Sequence, residues 1–284
     1  MWGEIIAVLT AFLWAISTVI LARTLRDIDP LNVNTFKTLF AAIFMIPIAW
    51  FMGEIQNIEN LNFLGLGLVV LAAVIGFGVG DICLLKSITL IGAARSYTVS
   101  YTFPFFTMLL AIIVLNEPFN SRYLLGAVII FLGILNIVIL SPNSNKGNNV
   151  HGLFLAFSAA LLWSVATILV TLGIREISVI LANTLRYPIL FIFLLLISRH
   201  WSKRPNLTRK NLLLLAVSGI LGMTIAGVTF LTSLNLIGAS RATPLSSSSP
   251  VWASLMIHFF LKEKITVRVI VSSIMVVAGI YFLT

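Results

Sequence analysis

Apolar runs of about 20 residues, separated by short Gly, Pro or polar breaks, fill this chain from one end to the other. Ten such stretches lie near 4–22, 33–52, 61–84, 94–115, 122–140, 151–171, 178–197, 211–233, 242–261 and 267–283. Each is about the length a helix needs to cross the hydrocarbon core of a bilayer. Positions 124–140 are apolar on every side and do not alternate, so the pattern predicts helices, which satisfy their own backbone in lipid, and not barrel strands. The first stretch lacks a basic start and a small-residue cleavage site, so it reads as a helix and not as a leader peptide. The expected fold class is an all-α membrane protein.

The pattern also repeats. Gly3, Trp14, Asn34, Thr35 and Lys37 recur at a constant offset of 149 as Gly152, Trp163, Asn183, Thr184 and Arg186. Further on the offset is 146: IGAAR at 91–95 matches IGASR at 237–241, Pro104 matches Pro250, Glu117 matches Glu263, and Gly133 matches Gly279. The chain therefore divides into a first repeat at 1–140, a polar SPNSNKGNNV linker at 141–150 and a second repeat at 151–284. Five predicted spans per repeat is an odd number, so the second copy enters the membrane from the opposite side. Ten helices in two inverted repeats is the expected architecture.

Composition narrows the function classes. Hydrophobic residues are 60% of 284 positions and charged ones 10%, and mean hydropathy is +1.09. Such a chain has lipid as its main solvent, in the cell membrane if the source is prokaryotic. The net charge of +9 comes from loop residues, which membrane topology and anionic headgroups explain, so nucleic acid is not an expected partner. The loops after spans 1, 3, 5, 7 and 9 carry thirteen basic residues against three on the opposite side, which by the positive-inside rule puts the termini outside. Cys83 is the one cysteine and packs as filler in span 3, so no internal disulfide staples the fold.

An early Trp14 or Trp163, a cation at Lys37 or Arg186, the IGAxR sequence, a mid-span proline and a terminal Glu117 or Glu263 together resemble the EamA-type drug/metabolite transporters. The resemblance spans both repeats. It implies a central cavity, alternating access, no cofactor, cytoplasmic termini (against the charge rule) and a small metabolite as cargo. The expectation is a secondary transporter for an amino acid or related polar solute, in the direction of export. Asn116 and Lys262 stand where the family often has glycine before the acid, which makes a different local turn an expectation.

Several residues carry two readings each. Asp81 is the one acid deep in a span: a ligand for a cation or a carrier of a coupling proton, or else a helix cap or a partner of Lys86. Lys37, Arg95, Arg186 and Arg241 sit in the first turns of their spans, as gate locks or anion contacts, or as snorkelling side chains. SYTVSYTFP at 96–104 and ATPLSSSSP at 242–250 are polar for membrane spans. Ser100, Tyr101, Ser246, Ser247 and Ser248 are expected in a cavity wall, with interhelical glue as the alternative. Trp14 and Trp163 lie mid-span, for solute contact or for packing. His258 reads as a proton shuttle or a structural hydrogen-bonder. Gly76, Gly78 and Gly80 suit close helix approach.

Other function classes fit less well. GVGD at 78–81 resembles an aspartyl-protease motif, but no second intramembrane carboxylate is available to share a proton. Neither HExxH nor a Cys/His cluster is present, so metal and enzyme chemistry are not expected. A channel or non-transporting scaffold is the remaining alternative, and the sequence shows neither charged rings nor a carbonyl filter.

Overall fold

The computed structural model describes residues 1–24, 27–138, 149–202, 207–261 and 267–284, and all regular structure among them is helical. Among the described residues seven helices are long and apolar enough to cross a membrane, and Ser121–Asn136 and Val267–Leu283 are shorter apolar helices. Large apolar side chains such as Phe44, Trp50, Leu109, Ile113, Ile192, Leu213, Ile274 and Val277 face outward, an arrangement that lipid and not water rewards. The protein is an integral, multi-pass membrane protein.

Helix α1 (Trp2–Thr24) is followed by α2 (Pro30–Phe51), whose start is set by Asp29 accepting from Leu31 N at 2.9 Å and by Pro30 in the first turn. A short 3-10 turn leads to α3 (Phe63–Ala73), capped by Asn62. A π-helical segment (Val74–Gly80) joins α3 to α4 (Asp81–Ile91), so predicted span 3 is longer than 61–84 and is widened and underwound at its glycines. Then come α5 (Ala93–Ser100), α6 (Phe103–Leu115) and α7 (Ser121–Val138). The later part runs α8 (Val150–Gly173), α9 (Val179–Trp201), α10 (Arg209–Gly219), a second π segment (Ile220–Ile225), α11 (Ala226–Ile237), α12 (Ala239–Ser246), α13 (Ser249–Leu261) and α14 (Val267–Leu283). The two π segments start at positions related by the offset of 146.

Two local features correct the sequence reading. Pro104 does not kink a continuous span: the helix breaks at Tyr101 and Thr102, and Pro104 sits in the first turn of α6, where its missing N–H costs nothing. The break between α12 and α13 likewise puts Pro250 in a first turn. The IGAxR sequences are sharp corners, with Gly92 at φ 84° and Gly238 at φ 77°, a region closed to most side chains. Asn116 takes the left-handed φ of 56°, which asparagine tolerates, so the turn before Glu117 keeps glycine-like geometry without glycine.

Packing runs across the two parts of the chain. Helix α1 lies against α11 and α13, α8 against α3, α4 and α6, α2 against α9, and α7 against α14. The crossings use small residues: a Cβ on Gly126 would press on Gly279 O, and one on Gly173 would press on Val69. Polar pairs sit in the same seams, with Thr10 Oγ1 donating to Thr229 Oγ1 at 2.8 Å and Ser17 Oγ 2.6 Å from Ser218 Oγ.

Candidate functional site: a charged cavity between the two parts of the chain

The π segments and the helix breaks meet around a cavity of about 250 Å³. Its wall takes Trp14, Ser17, Lys37, Phe77, Asp81, Tyr101 and Phe103 from the first part, and Trp163, Arg186, Tyr187, Met223 and Ser249 from the second. Aromatic rings brace one another along it: Trp14 with Phe230 at 5.1 Å between centroids, Phe103 with Trp163 at 5.6 Å, and Tyr101 with Phe103 at 6.2 Å.

Among the described residues three charged side chains line this space. Asp81 begins α4 where the π segment ends, and its Oδ2 lies 3.8 Å from Lys37 Nζ, each side chain 17% exposed. Its Oδ1 accepts from Trp163 Nε1 at 3.1 Å. Gly80 makes the indole's place, because a Cβ there would come within 3.0 Å of Trp163 Cδ1. A carboxylate at membrane depth costs about 3 kcal/mol on insertion scales, so the cation and the indole donor offset most of that cost. Arg186 is 3% exposed. One of its terminal nitrogens, Nη2, donates to Asn183 Oδ1 at 2.6 Å and to Tyr187 OH at 3.1 Å. Its guanidinium also lies over the rings of Phe77 and Tyr187, at 5.6 and 5.0 Å.

The two tryptophans do parallel work. Trp163 donates to Asp81, whereas Trp14 Nε1 donates to Gly222 O at 3.1 Å, inside the second π segment. A π turn widens the helix and loosens backbone carbonyls for such contacts. Asn34 Nδ2 uses another, donating to Phe77 O at 2.8 Å in the first π segment.

Of the residues singled out from sequence, Trp14, Lys37, Asp81, Tyr101, Trp163, Arg186 and Ser247 meet at this cavity. Lys37 and Arg186 stand two turns into α2 and α9, not in the first turn, and both line the cavity. Asp81 pairs with Lys37 and not with Lys86, which is exposed. Ser100, Ser246 and Ser248 are buried away from the cavity wall and donate to the backbone carbonyls of Tyr97, Ala7 and Leu245. Ser247 also donates to a preceding carbonyl, Pro244 O at 2.8 Å, but the broken turn puts it and Ser249 at the cavity wall. Arg241 is remote from the cavity: it ion-pairs with Glu4, donates to Leu283 O at 2.8 Å and covers the Tyr123 ring. The side chains of Arg95 and His258, and the whole of Glu263 and most of the 141–150 linker, lie outside the described residues.

Sequence reasoning missed Ser17, Phe77, Tyr187 and Ser249. Ser17 lies one turn from Trp14 on α1, Tyr187 follows Arg186, and Ser249 accompanies Tyr101 at 3.2 Å between hydroxyls. Glu117 was also undervalued. Its two oxygens accept from Ala239 N at 2.7 Å and Ser240 N at 2.9 Å, capping α12 from across the chain.

The sequence profile of the EamA-like transporter family matches residues 1–139 and again 150–284. The chain belongs to the EamA-like transporter family. An Archaeoglobus fulgidus protein named an uncharacterized transporter is 25% identical over 283 residues, spanning 99% of this chain and 97% of its own length. A Bacillus subtilis protein named uncharacterized transporter YoaV is 23% identical over 96% of this chain and 93% of its own. A solved crystal structure covers 99% of this chain and 96% of its own with a TM-score of 0.86 at 15% identity, a likeness of fold alone. As an EamA-like transporter the protein has a small-molecule solute and the bilayer as its partners, and its family and relatives carry transporter and not enzyme names.

Proposed function

We propose that this EamA-like protein is a secondary carrier for a small polar metabolite, an amino acid or related solute, moved in the direction of export by alternating access. In this reading, ten spans form two inverted five-helix repeats, 1–140 and 151–284, joined by the 141–150 linker. The observation that carries it is a cavity walled by both repeats and holding Lys37, Asp81 and Arg186, charges that lipid-packed helices do not keep without use. Trp14, Tyr101, Trp163 and Ser247 hold the solute's faces, and rocking of one repeat against the other exposes it to alternate sides. The breaks between α5 and α6 and between α12 and α13, with the π segments, supply the joints for that motion.

In this reading Asp81 carries the coupling proton, because pairing with Lys37 and protonation of the carboxylate are alternative ways to neutralise the same buried charge. Counterflow in proteoliposomes tests the carrier reading. A carrier exchanges internal unlabelled for external labelled amino acid with saturation. Flux of label that does not depend on internal solute marks a channel, and absence of any flux across a broad metabolite panel marks a scaffold; either result overturns the reading.

A further inference from the structure

The two repeats place a cation at the same position but treat it differently. Lys37 has the Asp81 carboxylate beside it. Arg186 is its counterpart, and the position matching Asp81 is Gly227. There is no room for a carboxylate at that glycine: a Cβ on Gly227 would run into Tyr187 OH and lie 3.1 Å from Asn183 Oδ1. Those same two neutral oxygens are the acceptors for Arg186 Nη2. The tyrosine hydroxyl is already committed as a donor to Met223 O at 2.7 Å. Arg186 Nε is buried without a hydrogen-bond partner, and among the described residues no carboxylate pairs with this guanidinium. A guanidinium that is 97% buried, facing a cavity, held by neutral acceptors and with an unused N–H, lacks an oxyanion.

We infer that Arg186 is the anion-binding residue of the cavity and that the transported solute supplies the missing oxyanion, a carboxylate or a phosphate ester. Asn183 and Tyr187 position the guanidinium, and the Phe77 ring fixes its plane. Among the described residues the wall carries two cations and one anion, so an oxyanion group matches the cation that Asp81 leaves unpaired. Asp81 stays with Lys37 and Trp163 in this arrangement, which leaves Arg186 as the group that discriminates. The inference rests on the cavity being the solute site proposed above, and it adds the charge that the solute must carry.

The test uses the full chain purified in nanodiscs, with unfolding temperature and tryptophan fluorescence as readouts, since Trp14 and Trp163 line the cavity. Matched probes separate the sources: phenylalanine, phenylalaninamide and phenethylamine for the carboxylate, and phosphoethanolamine against ethanolamine for the phosphate. Stabilisation by the oxyanionic members only is expected, with one of the two series dominant. Arg186→Gln is expected to lose at least tenfold in apparent affinity for the responding oxyanion, and Arg186→Lys to lose less. Asn183→Asp is the decisive variant, because it is isosteric and gives Arg186 an internal carboxylate. Its second carboxylate oxygen replaces the Nδ2 that donates to Val179 O at 3.0 Å, so the readout is ligand response and not stability: it is expected to abolish the response to oxyanions. Equal response to charged and amide members, no response to any oxyanion, or an Asn183→Asp protein that keeps its preference each overturns the inference. Oxyanion discrimination in a protein that shows no counterflow sinks the carrier reading and leaves the anion site standing.

Discussion

Asp81, Lys37 and Trp163 form a unit in which each member justifies the cost of another. Removing the carboxylate leaves Lys37 largely buried without its counter-charge, so Asp81→Asn is expected to destabilise the protein by about 3 kcal/mol, the low end for breaking a buried pair because both side chains keep some exposure. Denaturant or thermal unfolding in detergent checks this, and the Lys37→Met/Asp81→Asn double variant should recover most of the loss. On the proposed mechanism Asp81→Asn also abolishes pH-driven accumulation while counterflow persists in part; an unchanged pH dependence of uptake removes Asp81 from coupling. The acid itself was legible in the sequence, as the one carboxylate inside a span. Its partner was not, because Lys86 is near in sequence whereas Lys37 reaches Asp81 only through the packing of α2 against α4.

At the scale of elements, glycines decide how closely helices approach. Gly126 on α7 and Gly279 on α14 face each other, and a Cβ on either would meet the other's carbonyl oxygen at 2.8 Å. Gly126→Leu is therefore expected to force the pair apart and cost about 2 kcal/mol, the scale of overpacking a tight interface, read as a lowered unfolding temperature. Gly80→Leu acts differently, since its side chain would displace the Trp163 indole and break the bond to Asp81; transport should fall at least tenfold with a smaller change in stability. Helix existence and approximate bounds followed from apolar run length. The breaks at 101–102 and 247–248 did not, because an apolar run reads the same whether a proline bends a helix or opens a new one, and the neighbouring turn decides which.

For the whole molecule, the two parts are interlaced more than docked. Helices α1 and α8 each pack into the opposite part, and Glu117 caps α12 across that divide. Residues 1–140 produced alone are expected to be polydisperse in detergent, because Thr10, Ser17 and Ser87 would lose Thr229, Ser218 and Gly152 O as partners. Co-production with 150–284 should restore a monodisperse complex, as judged by size exclusion; a monodisperse first part on its own would contradict the interlacing.

The sequence by itself determined that the chain lives in lipid, that it is helical, that it repeats, and that Trp14, Trp163, Lys37, Arg186 and Asp81 are out of the ordinary. Those properties are local: hydropathy over 20 residues, a constant offset, a charge inside an apolar run. Tertiary structure decided which of them share a cavity and which serine hydroxyls merely bond their own helix. It also decided that Gly227 faces Tyr187 and Asn183, leaving Arg186 without the carboxylate that its counterpart has. Such pairings depend on where helices distant in sequence cross and on where π turns and glycine corners rotate a side chain, and neither is encoded in the hydropathy of any single span.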